Sequence, residues 1–132
     1  MNHQDLIRLA LDAREKAYAP YSRFAVGAAL LCKDGSIYTG CNIENAYFSP
    51  TCCAERTAVF KAVSEGKSEF CAIAVVGGKM GETPDTLCPP CGVCRQVLSE
   101  FCGADFEIIL ADGKGGVSIL TADQLLPHRF TL

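Results

Sequence analysis

Residues 51–58, TCCAERTA, and residues 90–96, PCGVCRQ, decide the fold, because each brings cysteine to a point where a helix begins. Ser49-Pro50-Thr51 reads as a helix entry, and Ala54, Ala58, Val59, Ala62 and Val63 follow at helical spacing, so a helix is predicted from about Cys53 to Ser64, ending near Gly66. In the second segment Pro90 suits a first helical turn, where its missing N–H costs nothing, and Cys91 and Cys94 at i and i+3 turn both sulfurs the same way. Helix N-termini favour anionic sulfur and lower thiol pKa. Three thiolates on a zinc ion leave the fourth tetrahedral position to water, and a carboxylate that is not a ligand can move that water's proton. Cys53, Cys91 and Cys94 are the predicted ligands, and Glu55, on the same first turn as Cys53, is the predicted proton carrier.

Outward from these segments the chain alternates elements without repeats or linkers. Leu6, Leu9, Ala10, Ala13 and Ala17 predict an amphipathic helix over 3–17. Phe24–Leu31 and Ile37–Ile43 flank Lys33-Asp34-Gly35 as a hairpin. Cys71–Val76 reads as a buried strand, 77–90 as a Gly/Pro-rich loop and Cys91 to about Phe101 as a helix. Strands at Phe106–Ala111 and Val117–Leu120 and a short helix before Pro127 complete the order. The expected architecture is α/β, a mixed sheet between helices, with both cysteine helices beginning on one edge of it.

At 132 residues, 49% hydrophobic and 20% charged, the chain suits a single domain over 1–132, with any deep pocket borrowing walls from another subunit. No apolar run approaches the roughly 20 residues that span a bilayer, and the first residues lack a signal-peptide core, so a cytoplasmic location with no membrane partner is expected. Nine cysteines, an odd number, argue for metal binding or burial over a disulfide framework. A net charge of -3 provides no basic track for phosphates, so nucleic acid is not an expected partner.

TCCAERTA and PCGVCRQ, together with YSRFAVGAAL at 21–30 and NIENA at 42–46, resemble the small homotetrameric cytidine deaminases of pyrimidine salvage over essentially the whole chain. The resemblance implies a three-layer α/β/α sandwich with a mixed five-stranded sheet, and zinc-dependent hydrolysis of cytidine and deoxycytidine to the uridines with release of ammonia. It further implies that Asn42 and Glu44 hydrogen-bond the ribose and that the backbone of Ala54 meets the base. Phe24 would be an apolar wall, and Phe130 of a neighbouring subunit would stack on the pyrimidine. Arg56 would donate hydrogen bonds to the sulfurs, relieving a site that three thiolates leave formally anionic. Phe48 stands where the family usually has tyrosine, so a hydroxyl contact is lost or passes to Tyr47.

Each residue has a blander reading. The cysteines could be buried thiols, Glu55 a dipole-stabilised first-turn glutamate, Arg56 half of a surface ion pair, Asn42 and Glu44 turn residues, and Phe24 and Phe130 core aromatics. Two other function classes also compete. A structural zinc module needs a fourth ligand, for which only Cys52 or Cys88 is placed, and a thiol redox protein would use Cys91-Gly92-Val93-Cys94 but leave Cys53-Ala54-Glu55 without a purpose.

Overall fold

The computed structural model describes residues 1–132, in the order α1 (His3–Arg14), β1 (Phe24–Cys32), β2 (Ile37–Cys41), α2 (Ala54–Ser64), β3 (Phe70–Lys79), α3 (Gly92–Phe101), β4 (Glu107–Ala111), β5 (Val117–Thr121) and α4 (Ala122–Leu125). The five strands form one sheet in the order β2-β1-β3-β4-β5. β1 runs antiparallel to β2 and β3, with Leu30 opposite Ile73, while β3 and β4 run parallel, with Ile73 opposite Ile108. A parallel pair needs a long crossover, and α3 with its preceding loop supplies it.

Strand alternation sorts the core into two layers. Ala28 and Leu30 of β1 face α2 and α3, packing with Ala58, Val59, Ala62 and Leu98, whereas Ala29 faces α1 and meets Leu6, Ile7 and Ala10. Helices therefore cover both faces, giving the three-layer α/β/α sandwich. The middle strand reads as an unbroken apolar run because Ala72 through Val76 are buried on both sides. Gly40 of β2 sets the approach of α2: a Cβ there would come within 2.6 Å of the Ala58 nitrogen, so the helix lies directly on the strand.

Local chemistry sets most boundaries. Asn2 caps α1 by accepting the Asp5 N–H, and Thr121 and Gln124 form a reciprocal capping box on α4. Gly35 takes φ 90° in the β1–β2 turn, where the Asp34 carboxylate accepts from the Ser36 N–H.

Several expected boundaries require correction. α1 stops at Arg14 and not at residue 17, because Ala17 N–H turns back to the Arg14 carbonyl and Tyr18 then bridges to Ile43. β2 ends at Cys41, and Ile43 instead bridges Tyr18 and Cys52. Gly77-Gly78-Lys79 belongs to β3, not to a loop, since these residues pair with Val26, Ala25 and Phe24. Gly77 is glycine because the returning chain covers it: a Cβ would sit 2.8 Å from Cys88 Sγ. Cys53 and Cys91 cap α2 and α3 from outside, and Pro90 precedes the second cap instead of opening the helix.

Candidate metal and substrate site

Cys53 and Cys91 have extended backbones as N-cap residues, so their side chains project beyond the first turns of α2 and α3 toward one another. Cys53 Sγ lies 3.8 Å from Cys91 Sγ, which lies 3.6 Å from Cys94 Sγ. Zn–S bonds of 2.3 Å at tetrahedral angles place sulfurs about 3.8 Å apart, so the three thiols fit one zinc ion. They form the metal-competent group, with all ligand atoms within 4.8 Å of one another, and neither Cys52 nor Cys88 joins it. A site with three protein ligands is open, as a catalytic metal requires and a structural one does not. All nine cysteines are free thiols.

The neighbouring groups pull the thiols' titration in opposite directions. The Cys53 thiol is held down to about 5, first by the bond from Cys94 and then, against burial, by the Arg56 guanidinium. Cys94 moves the opposite way, raised by the neighbouring Cys53 sulfur and by its burial. Arg56 Nη2 donates to Cys53 Sγ at 3.3 Å, and its Nε is buried without a partner. Burial opposes its charge, yet the nearby sulfurs of Cys53 and Cys94 hold it more firmly protonated than usual.

Glu55 is 4% exposed, and burial pushes its carboxyl up to about 7. It lines a cavity of about 230 Å³ with Val26, Asn42, Glu44, Ala54, Cys53 and Cys91, while Thr51, Cys88 and Pro89 complete the wall. That volume is smaller than a drug-sized pocket and suits a small ligand. A larger groove of about 410 Å³ between α1, β2 and α2 contains Lys16 and Lys61 but none of the metal-competent sulfurs or Glu55.

Asn42 accepts the Val26 N–H at 2.9 Å and donates to the Phe24 carbonyl at 2.8 Å, clamping the start of β1 beside the cavity. Glu44, also lining it, accepts from the backbone N–H groups of Tyr21 and Ser22. The structure does not bring Phe24 or Phe130 into this lining: Phe24 begins β1 at 38% exposure, and Phe130 is 66% exposed beside Ser99 and Glu100. Phe48 and Tyr47 are both exposed. Val26, Thr51 and Pro89 in the lining, and Ser22 behind Glu44, carry no site signal in the sequence. The YSRFAVGAAL stretch contains two of them, but no spacing rule links Ser22 to a carboxylate so far along the chain.

Residues 1–109 match the family model described as the cytidine and deoxycytidylate deaminase zinc-binding region. The chain is 53% identical over 131 residues to a cytidine deaminase of Halalkalibacterium halodurans, covering 99% of this chain and 96% of that protein. It is 50% identical to a cytidine deaminase of Sporosarcina psychrophila, covering 99% and 93%. In structure it is similar to the cytidine deaminase of Burkholderia pseudomallei, with a TM-score of 0.88 at 48% identity over 98% of this chain and 100% of that one. It also resembles the Mycobacterium tuberculosis enzyme, with a TM-score of 0.82 at 39% identity over 100% and 99%. With the family's zinc-binding region matched over most of its length and relatives at half identity end to end, this chain belongs to the cytidine deaminase family.

Proposed function

We propose that this chain hydrolyses the exocyclic amine of cytidine and deoxycytidine, giving uridine, deoxyuridine and ammonia, with zinc held by Cys53, Cys91 and Cys94. The observation that carries this reading is the three-sulfur group, two of whose members, Cys53 and Cys91, line one small cavity together with the buried Glu55 carboxyl. Zinc, when bound, supplies Lewis-acid activation of the attacking water. Glu55 then serves as the proton carrier. Held in a buried site that disfavours its charge, this carboxyl can receive the proton of the water, place it on N3 of the pyrimidine and later assist the departing amine. Such proton transfer contributes about 100- to 10,000-fold in rate.

Asn42 and Glu44 orient the sugar hydroxyls, and the Ala54 backbone at the α2 N-terminus meets the base. Arg56 draws charge from the sulfurs. Phe24 forms an apolar wall, and Phe130 stacks on the base bound by a neighbouring copy. The same proposal includes a homotetramer with shared sites and a cytoplasmic role in pyrimidine salvage. The exposed aromatics Tyr18, Tyr21, Tyr47, Phe48 and Phe130 support assembly, as does a cavity that Phe130 of the same chain does not line. No helix is long and apolar enough to cross a membrane.

The test is to offer zinc-loaded protein cytidine, deoxycytidine, cytosine and cytidine monophosphate while following ammonia and absorbance. Turnover of both nucleosides with one zinc per chain is expected. Stoichiometric zinc without turnover of either would overturn the reading in favour of a structural metal module.

A further inference from the structure

Glu44 is 6% exposed, and its carboxylate is held from one side by the segment leading into β1. Oε1 accepts the Tyr21 N–H at 3.0 Å and the Ser22 N–H at 3.1 Å, and Oε2 accepts the Ser22 hydroxyl. Ser22 Oγ in turn accepts the Phe24 N–H at 3.1 Å. A serine hydroxyl has a single proton to give, and Phe24 occupies its acceptor side, so that proton is committed to Glu44. A carboxylate has about four acceptor positions, and three filled ones leave one for a ligand in the cavity that Glu44 lines. Burial raises the Glu44 carboxyl, but the bonds from Ser22 and Tyr21 outweigh it and keep the group ionised.

The backbone around Ser22 is fixed at some cost. Arg23, the next residue, takes a left-handed φ of 59°, a strained conformation for a residue that is not glycine. Its carbonyl accepts the Met80 N–H at 2.8 Å and its own N–H donates to the Ala19 carbonyl at 3.0 Å, so the turn is pinned to the end of β3. That turn carries both the Ser22 N–H and its hydroxyl to the Glu44 carboxylate.

We propose that Ser22 is a positioning residue, whose hydroxyl fixes the rotamer of Glu44 so that the one remaining acceptor site meets a sugar hydroxyl of the nucleoside. This rests on reading the cavity as a nucleoside deaminase site. Ser22 acts on substrate capture through Glu44, away from the reacting carbon, so its loss should raise KM and spare kcat.

The experiment is a double-mutant cycle of Ser22→Ala and Glu44→Gln in the zinc-loaded protein, with kcat and KM measured on cytidine. Ser22→Ala should raise KM roughly 10-fold, the scale of one lost hydrogen bond to a charged group, with kcat within about threefold. Ser22→Thr should restore most of the loss, and in the Glu44→Gln background Ser22→Ala should add less than about twofold. Additive losses, a loss confined to kcat, no loss at all, or a threonine variant as impaired as alanine would each overturn the proposal. If Ser22→Ala loses zinc or melts early, Ser22→Cys, close in size but a weak donor, takes its place in the same cycle with the same expected outcomes. A wild-type protein inactive on every nucleoside overturns the deaminase reading itself, an outcome distinct from any of these.

Discussion

Arg56 and Cys53 are joined by a hydrogen bond of 3.3 Å from Nη2 to Sγ, one turn apart at the start of α2. Three thiolates over-neutralise a divalent ion and weaken it as an activator of water, and a guanidinium donating to one sulfur withdraws part of that charge. Arg56→Gln keeps a shorter donor but removes the positive charge. Activity should fall about 10- to 100-fold, the range of a charge-assisted hydrogen bond, while zinc content at neutral pH is unchanged. Steady-state rates and metal analysis of the same preparation check this, and an unaltered rate would show that the contact has no influence on the reaction.

The burial of Glu55 has a cost that the metal-free protein should reveal. Its carboxyl titrates at about 7 in the folded chain against 4.5 without that environment, chiefly because burial disfavours the charge. Between those values the folded chain keeps a proton that the unfolded chain has released, so stability falls as pH rises from 4.5 toward 7 and stays lowered above it. After chelation, Glu55→Gln should therefore exceed the wild type by about 3 kcal/mol at alkaline pH, the gap closing below about pH 4.5. Urea unfolding across pH measures it. A pH-independent gap, or a less stable glutamine variant at alkaline pH, would contradict this account of the site's electrostatics.

Gly77 packs under Cys88, with no room for a methyl group at 2.8 Å from the sulfur. Gly77→Ala should destabilise the fold by about 1–3 kcal/mol and push Cys88 into the cavity it lines, raising KM as well. Denaturant midpoints and kinetics together test this. Wild-type values in both would mean that the loop 80–91 yields freely.

Phe130 is 66% exposed and absent from the cavity of its own chain, so the stacking role proposed for it requires a second copy. Phe130→Ala and Glu55→Gln should each be inactive or nearly so. Mixed after dissociation and reassembled, they should regain activity at sites that draw the intact Glu55 and the intact Phe130 from different chains. Co-assembly without recovery would show that the sites are not shared.

What was legible in the sequence was local. Cys91 and Cys94 at i and i+3, Cys53 and Glu55 on one turn, and alternating apolar runs follow from helix and strand periodicity, and the sheet and the three-sulfur group follow from them. What was not legible depended on distant chain. Gly77-Gly78 looked like a loop because their lack of side chains is explained by Cys88 and Pro84 returning over them, which no short window shows. The Ser22–Glu44 bond joins the approach to β1 with the segment after β2, and only the closed hairpin brings them together. Cys53 and Cys91 were read as helical, yet a capping position serves them better, since it frees the side chain to point past the helix end.

The central claim is that Glu55 carries the proton at a site whose metal is held by sulfur alone. Glu55→Gln keeps the size and most of the polarity of the side chain while removing the exchangeable proton. Ammonia release from cytidine and zinc content should be measured on wild type and variant side by side. The expected result is full zinc occupancy in both, with turnover in the variant lowered at least about 100-fold, the lower bound for a lost general acid–base. Zinc-replete Glu55→Gln turning over cytidine within a few-fold of wild type would contradict the account.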